Sequence, residues 1–123
     1  MSSLEQKREF EKTGRRAESW AAMYLRLKGY KILERNFRNK SGEVDIIVRK
    51  RDVIAAVEVK QRRTLSAAHE SISAESERRI SNALESYVST RPQLHNCGQR
   101  CDAIFFIGER LSLRRITHIE DAF

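Results

Sequence analysis

Gly42-Glu43-Val44-Asp45-Ile46-Ile47-Val48 and, thirteen residues after Asp45, Glu58-Val59-Lys60 place two carboxylates and an amine inside runs apolar enough to be sheet strands. Charges in core-forming sequence are costly unless they are paired or hold a metal, so their presence calls for a chemical explanation. Strand alternation puts Val44, Ile46 and Val48 on one face and Glu43, Asp45 and Ile47 on the other. In the second run Val53, Ala55, Val57 and Val59 share a face, which leaves Ile54, Ala56, Glu58 and Lys60 together on the opposite side. Arg49-Lys50-Arg51-Asp52 suits a hairpin between them. A two-residue loop at Arg51-Asp52 and a four-residue loop over Lys50 to Val53 give the same register, with Asp45 directly opposite Glu58. Side chains paired in this way have Cβ atoms about 4.5–5.5 Å apart, where two carboxylates either repel or share a cation.

Mg²⁺, or Mn²⁺ in its place, is the expected cation, because it takes oxygen ligands, uses one or two carboxylates and leaves its other positions to water and phosphate. Such a site suits phosphodiester hydrolysis: the metal polarises the phosphate and acidifies a water, and the Lys60 ammonium orients that water or offsets developing charge. The competing expectation is an ordinary cross-strand salt-bridge cluster of Asp45, Glu58 and Lys60 on a solvated sheet face, in a nucleic-acid-binding module without catalysis.

The 123 residues, 40% of them hydrophobic, suffice for a single domain spanning 1–123. Trp20 to Leu25, the longest uncharged apolar run, is too short to span a membrane, and Glu5-Gln6-Lys7-Arg8-Glu9 is no signal-peptide core, so a cytoplasmic protein is expected. Cys97 and Cys101 are expected to be free thiols in a reducing compartment. The net charge of +7 is unevenly spread: residues 1–40 carry +6, residues 41–63 +2 and residues 64–123 −1. The basic excess accompanies the acid pair, as expected if cationic flanks offset the repulsion between a polyanion and an acidic metal site, so nucleic acid is the favoured partner.

Along the chain, the pattern predicts a helix from about Leu4 to Lys28 stopped by Gly29, with Ala17, Trp20, Ala21, Tyr24, Leu25 and Leu27 on one arc and Glu18 at its rim, in reach of a sheet edge. Strands follow at Tyr30 to Phe37 and in the two runs above, then an exposed loop over Arg63 to Ile72. A second helix is predicted from near Ser73, with Ile80, Ala83, Leu84, Tyr87 and Val88 as its apolar stripe and Arg91-Pro92 as its stop. Asp102 opens a central strand, Ala103 to Ile107, and Leu111 to Ile119 reads as an edge strand.

This order, a helix carrying an acid, three strands carrying D…ExK, a helix and a strand, resembles the restriction-endonuclease-like, PD-(D/E)xK, fold: an α/β domain with a mixed sheet flanked by helices. The likeness extends to Gly14 with Ala17-Glu18, Tyr24-Leu25, Gly29-Tyr30, Ile32-Leu33, Arg35-Asn36, Gly42 to Asp45, Glu58-Val59-Lys60 with Arg62, Arg100 with Asp102, His118-Ile119 and Ala122-Phe123, which are similar to the YraN-like family of bacterial proteins. That resemblance implies a metal-dependent DNA endonuclease akin to archaeal Holliday-junction resolvases, with branched or recombination intermediates among its substrates. It implies metal binding by Asp45 and Glu58, catalysis by Lys60 and an accessory acidic role for Glu18. Resolvase-like nucleases often act in pairs, so a homodimer is compatible with it. Two details depart from the family pattern: Ser76-Glu77 precedes Arg78-Arg79 where a lysine is frequent, and Leu65-Ser66-Ala67-Ala68 stands where glycine is common. Arg35, Arg62 and Arg63 could serve as phosphate donors near the site, or as salt-bridged surface residues.

Overall fold

A computed structural model describes residues 3–123, those at 7–13 by backbone alone. Helix α1 (Ser3–Leu27) ends where Gly29, at φ 92°, lets the chain reverse; the Gly29 N–H donates to the Arg26 carbonyl at 3.0 Å and the Tyr30 N–H to that of Leu25 at 2.9 Å. Strands β1 (Lys31–Asn39), β2 (Gly42–Lys50) and β3 (Val53–Arg62) form an antiparallel meander. The chain then crosses over through α2 (Leu65–Glu70) and α3 (Ala74–Ser89) to β4 (Gly98–Ile107), parallel to β3, and finishes with β5 (Ile116–Ile119), antiparallel to β4. The result is a five-stranded mixed sheet in the order β1-β2-β3-β4-β5.

Each sheet face is covered by helix. On one side Ala17, Ala21, Ala22 and Leu25 of α1 pack with Ile46, Val48, Ala55, Val57, Ile104 and Phe106. On the other, Ile80, Ala83, Leu84, Tyr87 and Val88 of α3 pack with Ile47, Ile54 and Ala56, and α2 sets Ala68 against Ala103 and Phe105. The sequence placed Leu27 on the buried arc of α1; it is 72% exposed, because two residues beyond the buried Leu25 it lies about 200° round the helix, on the opposite side from the sheet.

Three local expectations are corrected. The loop foreseen over Arg63 to Ile72 contains α2, whose Thr64 hydroxyl accepts the Ala67 N–H at 3.1 Å; six residues are too few to show helical periodicity, and burial of Ala68 holds the turn in place. Strand β4 starts at Gly98, so Asp102 lies inside it and is fully buried. Of Leu111 to Ile119 only the last four residues pair as an edge strand, after a 3₁₀ turn at Leu113–Arg115. No helix among the described residues is long and apolar enough to cross a membrane.

Candidate metal centre

The two-residue reversal at Arg51-Asp52 closes the β2–β3 hairpin in the expected register, from Lys50 opposite Val53 to Ile46 opposite Val57. One further step would bring Asp45 opposite Glu58, but the ladder stops short of it. The Val59 N–H instead donates to Asp45 Oδ2 at 2.8 Å, while β3 runs on along β4 as far as Arg62 opposite Ile107. The start of β2 thus parts from β3 while staying paired with β1, and the acids sit in the fork. The alternation expected across Asp45 is broken too: Val44 joins Ile47 on the α3 side, while Ile46 and Val48 face α1. Asn36, the β1 residue across from Asp45, takes a left-handed φ of 55° and drops out of the ladder, which turns both strands over at this point.

Glu58 and Lys60 share the face that the register assigned them. Lys60 Nζ lies 3.5 Å from Glu58 Oε1, and Glu58 Oε2 is buried with no hydrogen-bond partner. Among the described residues, one other buried side-chain oxygen or nitrogen is in the same condition, Glu18 Oε2. An orphaned buried acceptor costs about 1–3 kcal/mol, and a carboxylate more, so these two oxygens are the buried acceptors with most to gain from a donor or a cation. Burial drives the Asp45 carboxyl up to about 7 against the pull of the Val59 hydrogen bond, and the charges of Glu18, Glu58 and Glu43 add to the rise. Glu18 is itself raised by burial, opposed by Arg35, by a hydrogen bond with Asn36 and by Arg15.

Asp45 and Glu58 line a cavity of about 30 Å³ with Glu43, Val44 and, from α3, Ser76, Arg79 and Ile80. That volume holds one water or one small ion. Its wall is tightly set: a Cβ on Gly42 would lie 2.1 Å from the Arg79 carbonyl oxygen, so only glycine lets the β1–β2 turn approach the α3 backbone this closely. No group of three or more His, Cys, Asp or Glu is gathered for a metal among the described residues. Two carboxylates with water and phosphate completing the shell suit Mg²⁺ or Mn²⁺ better than a metal that demands an all-protein cage.

The arginines foreseen as phosphate donors scatter. Arg35 lies on the α1 side, donating to Ser19 Oγ at 3.4 Å; Arg62 Nη1 donates to the Gln61 carbonyl at 2.8 Å; Arg63 makes an exposed 3.9 Å pair with Glu109. Sequence reasoning missed Arg79, which does line the cavity. Its signal was the Arg78-Arg79 pair near the start of a helix that the D…ExK hairpin would have to face.

It missed a second buried carboxylate as well. Asp102 accepts from Arg100 Nε at 2.8 Å and Nη2 at 3.0 Å, from the Asp121 N–H at 3.0 Å, and pairs with His118 Nε2 at 2.9 Å. Arg100 also donates to the Tyr30 hydroxyl at 2.7 Å, and His118 Nδ1 meets the Tyr24 hydroxyl at 3.3 Å. Burial alone would raise Asp102, but the hydrogen bonds from His118, Arg100 and the Asp121 N–H together hold it below the usual carboxylate range. The alternation of Arg100 with Asp102, which puts both on one strand face, was the legible hint.

A mixed five-stranded α/β domain with helices on both faces and D…ExK acids at a strand fork is compatible with the restriction-endonuclease-like class. Residues 17–106 match the model of a family described as "Uncharacterised protein family UPF0102". A UPF0102 protein of Agrobacterium fabrum is 38% identical over 117 residues, covering 95% of this chain and 93% of its own length. Relatives from Paramagnetospirillum magneticum, 39% identical over 92% of this chain and 88% of their own, and Mesorhizobium japonicum, 41% identical over 89% and 85%, carry the same family name. The chain belongs to the UPF0102 family, and these relatives are bacterial.

Proposed function

We propose that this protein is a divalent-metal-dependent nuclease that hydrolyses phosphodiester bonds, with DNA as its substrate and the bacterial cytoplasm as its setting. The observation that carries the reading is the partnerless buried Glu58 Oε2 beside the Asp45 carboxyl at a strand fork, with the Lys60 ammonium on the same face. Asp45 and Glu58 would hold Mg²⁺ or Mn²⁺, which when bound supplies polarisation of the phosphate and acidification of a water. The Val59 N–H fixes Asp45 from behind, so the orientation of its carboxylate is set before any ligand arrives. Lys60, 3.5 Å from Glu58 Oε1, keeps two further N–H donors for a water or a phosphate oxygen, and its charge opposes that developing on the phosphate. Glu18 supports the site from α1 by holding negative potential next to Asp45. The proton that the Asp45 carboxyl retains near neutrality must leave before the cation binds.

The rival reading is a nucleic-acid-binding module in which Lys60 and Glu58 serve only as a structural ion pair. Cleavage assays with Mg²⁺ and Mn²⁺ on duplex, single-stranded and four-way-junction DNA, and on RNA, separate the two. The nuclease reading expects metal-dependent cleavage, lost with retained binding in Lys60→Ala and lost in Asp45→Ala and Glu58→Ala. Salt-sensitive binding without turnover under either metal favours the rival. Sedimentation with and without junction DNA tests whether two copies assemble so that both strands are cut.

A further inference from the structure

We propose that the Arg79 guanidinium, with the Ser76 hydroxyl one turn earlier on α3, is a phosphodiester-binding site at the acid cavity, kept closed by Glu43 until a nucleic-acid phosphate displaces that carboxylate. This rests on the nuclease reading and adds to it a residue for the substrate's backbone. Arg79 and Ser76 line the same cavity as Asp45 and Glu58. In the free protein Glu43 Oε1 takes Arg79 Nη2 at 2.7 Å and its Oε2 takes Arg38 Nε at 3.1 Å, so a carboxylate spans two arginines much as a phosphate would.

Charge makes the exchange favourable. With Glu43 in place, three carboxylates face the cavity and the cation best placed to receive a phosphate is neutralised. Arg79 and Glu43 side chains are 54% and 45% exposed, and a pair so open to water contributes little to stability, so little is lost when a phosphate takes its place. A guanidinium fork can grip phosphate with two parallel N–H donors, whereas the Arg79–Glu43 contact is a single one through Nη2. The backbone does not need to move: the Gly42 contact pins α3 at Arg79, so the exchange is a swing of one side chain. Ser76, whose hydroxyl accepts from Ser73 Oγ at 3.0 Å, keeps its own proton for a phosphate oxygen.

The test is a binding cycle with fluorescein-labelled duplex and four-way-junction DNA, read by anisotropy in Ca²⁺ so that turnover is suppressed. Glu43→Gln is expected to tighten binding about 5-fold and Arg79→Ala to weaken it about 10-fold, with the salt dependence flattened by about one phosphate contact. The Glu43→Gln gain should survive in an Arg38→Ala background and vanish in Arg79→Ala, while Arg79→Lys recovers part of the affinity. A gain that persists unchanged without Arg79 reduces Glu43 to general repulsion and overturns the proposal; a gain that depends on Arg38 instead overturns it too. Wild-type protein that binds none of these DNAs removes the nuclease reading itself, and this site with it.

Discussion

Two buried carboxylate centres lie within two strands of each other, and they are built on opposite terms. Asp102, in the middle of β4, has every lone pair engaged by Arg100, His118 and a backbone N–H, and its pKa falls. Asp45 and Glu58, at the fork where β2 leaves β3, have one backbone donor, one 3.5 Å ammonium and an empty-handed oxygen between them, and the pKa of Asp45 climbs to about 7. Satisfied burial reads as architecture: the Asp102 network ties α1, through Tyr24, and the turn that follows it, through Tyr30, to β4, β5 and the C-terminal segment. Unsatisfied burial, beside a closely packed wall, is what the proposed cation site rests on.

The largest effect should come from the satisfied centre. Asp102→Ala takes the buried carboxylate from the half-buried Arg100 and from His118, and chemical denaturation should register a loss of about 3 kcal/mol. A loss below about 1 kcal/mol would mean that the network is dispensable and the contrast drawn above is false.

The acid fork should respond with the opposite sign. Asp45 ionises in the folded chain only near pH 7 but in the unfolded chain near 3.8, so the native state binds the extra proton between those values and loses stability as pH rises through the window. Asp45→Asn, which still accepts the Val59 N–H, should therefore stabilise the metal-free protein by about 1–3 kcal/mol at pH 8 and by almost nothing at pH 4. Denaturant melts at the two pH values check this. Equal effects at both would show that Asp45 carries no raised pKa.

Packing at the cavity wall gives a change of similar size. Gly42→Ala should cost about 1–3 kcal/mol, because the added Cβ would meet the Arg79 carbonyl oxygen at 2.1 Å and force the turn off α3. If the fork depends on that wall, the variant should also bind metal less tightly, as calorimetry would read. Arg63→Ala lies at the bottom of the scale: its 3.9 Å pair with Glu109 is exposed at both ends, and melting should move by no more than about 0.5 kcal/mol.

The same comparison explains what the sequence could and could not reveal. The α1 and α3 spans, the three-strand meander, the Arg51-Asp52 reversal and the co-facial Glu58 and Lys60 follow from periodicity and turn length, which are local quantities. Asp45's neighbourhood does not, because the face switch at Asn36 and the parting of β2 from β3 depend on contacts between strands and are invisible to a period of two. The short helix α2 escaped for want of length, and the Arg79–Glu43–Arg38 bridge because it joins positions 36 residues apart in one arm and five in the other. Asp102 looked like the residue that opens its strand, since its partners, His118 and the Asp121 N–H, come from the far end of the chain.

Titration of Mn²⁺ into the metal-free protein at pH 8, followed by calorimetry, tests the fork most directly. One site should bind, weaken about tenfold for each pH unit below 7 as protons compete at Asp45, and disappear in Asp45→Asn and in Glu58→Gln. Absence of any binding in the wild type, or binding that both variants retain, would contradict a cation centre at these two carboxylates.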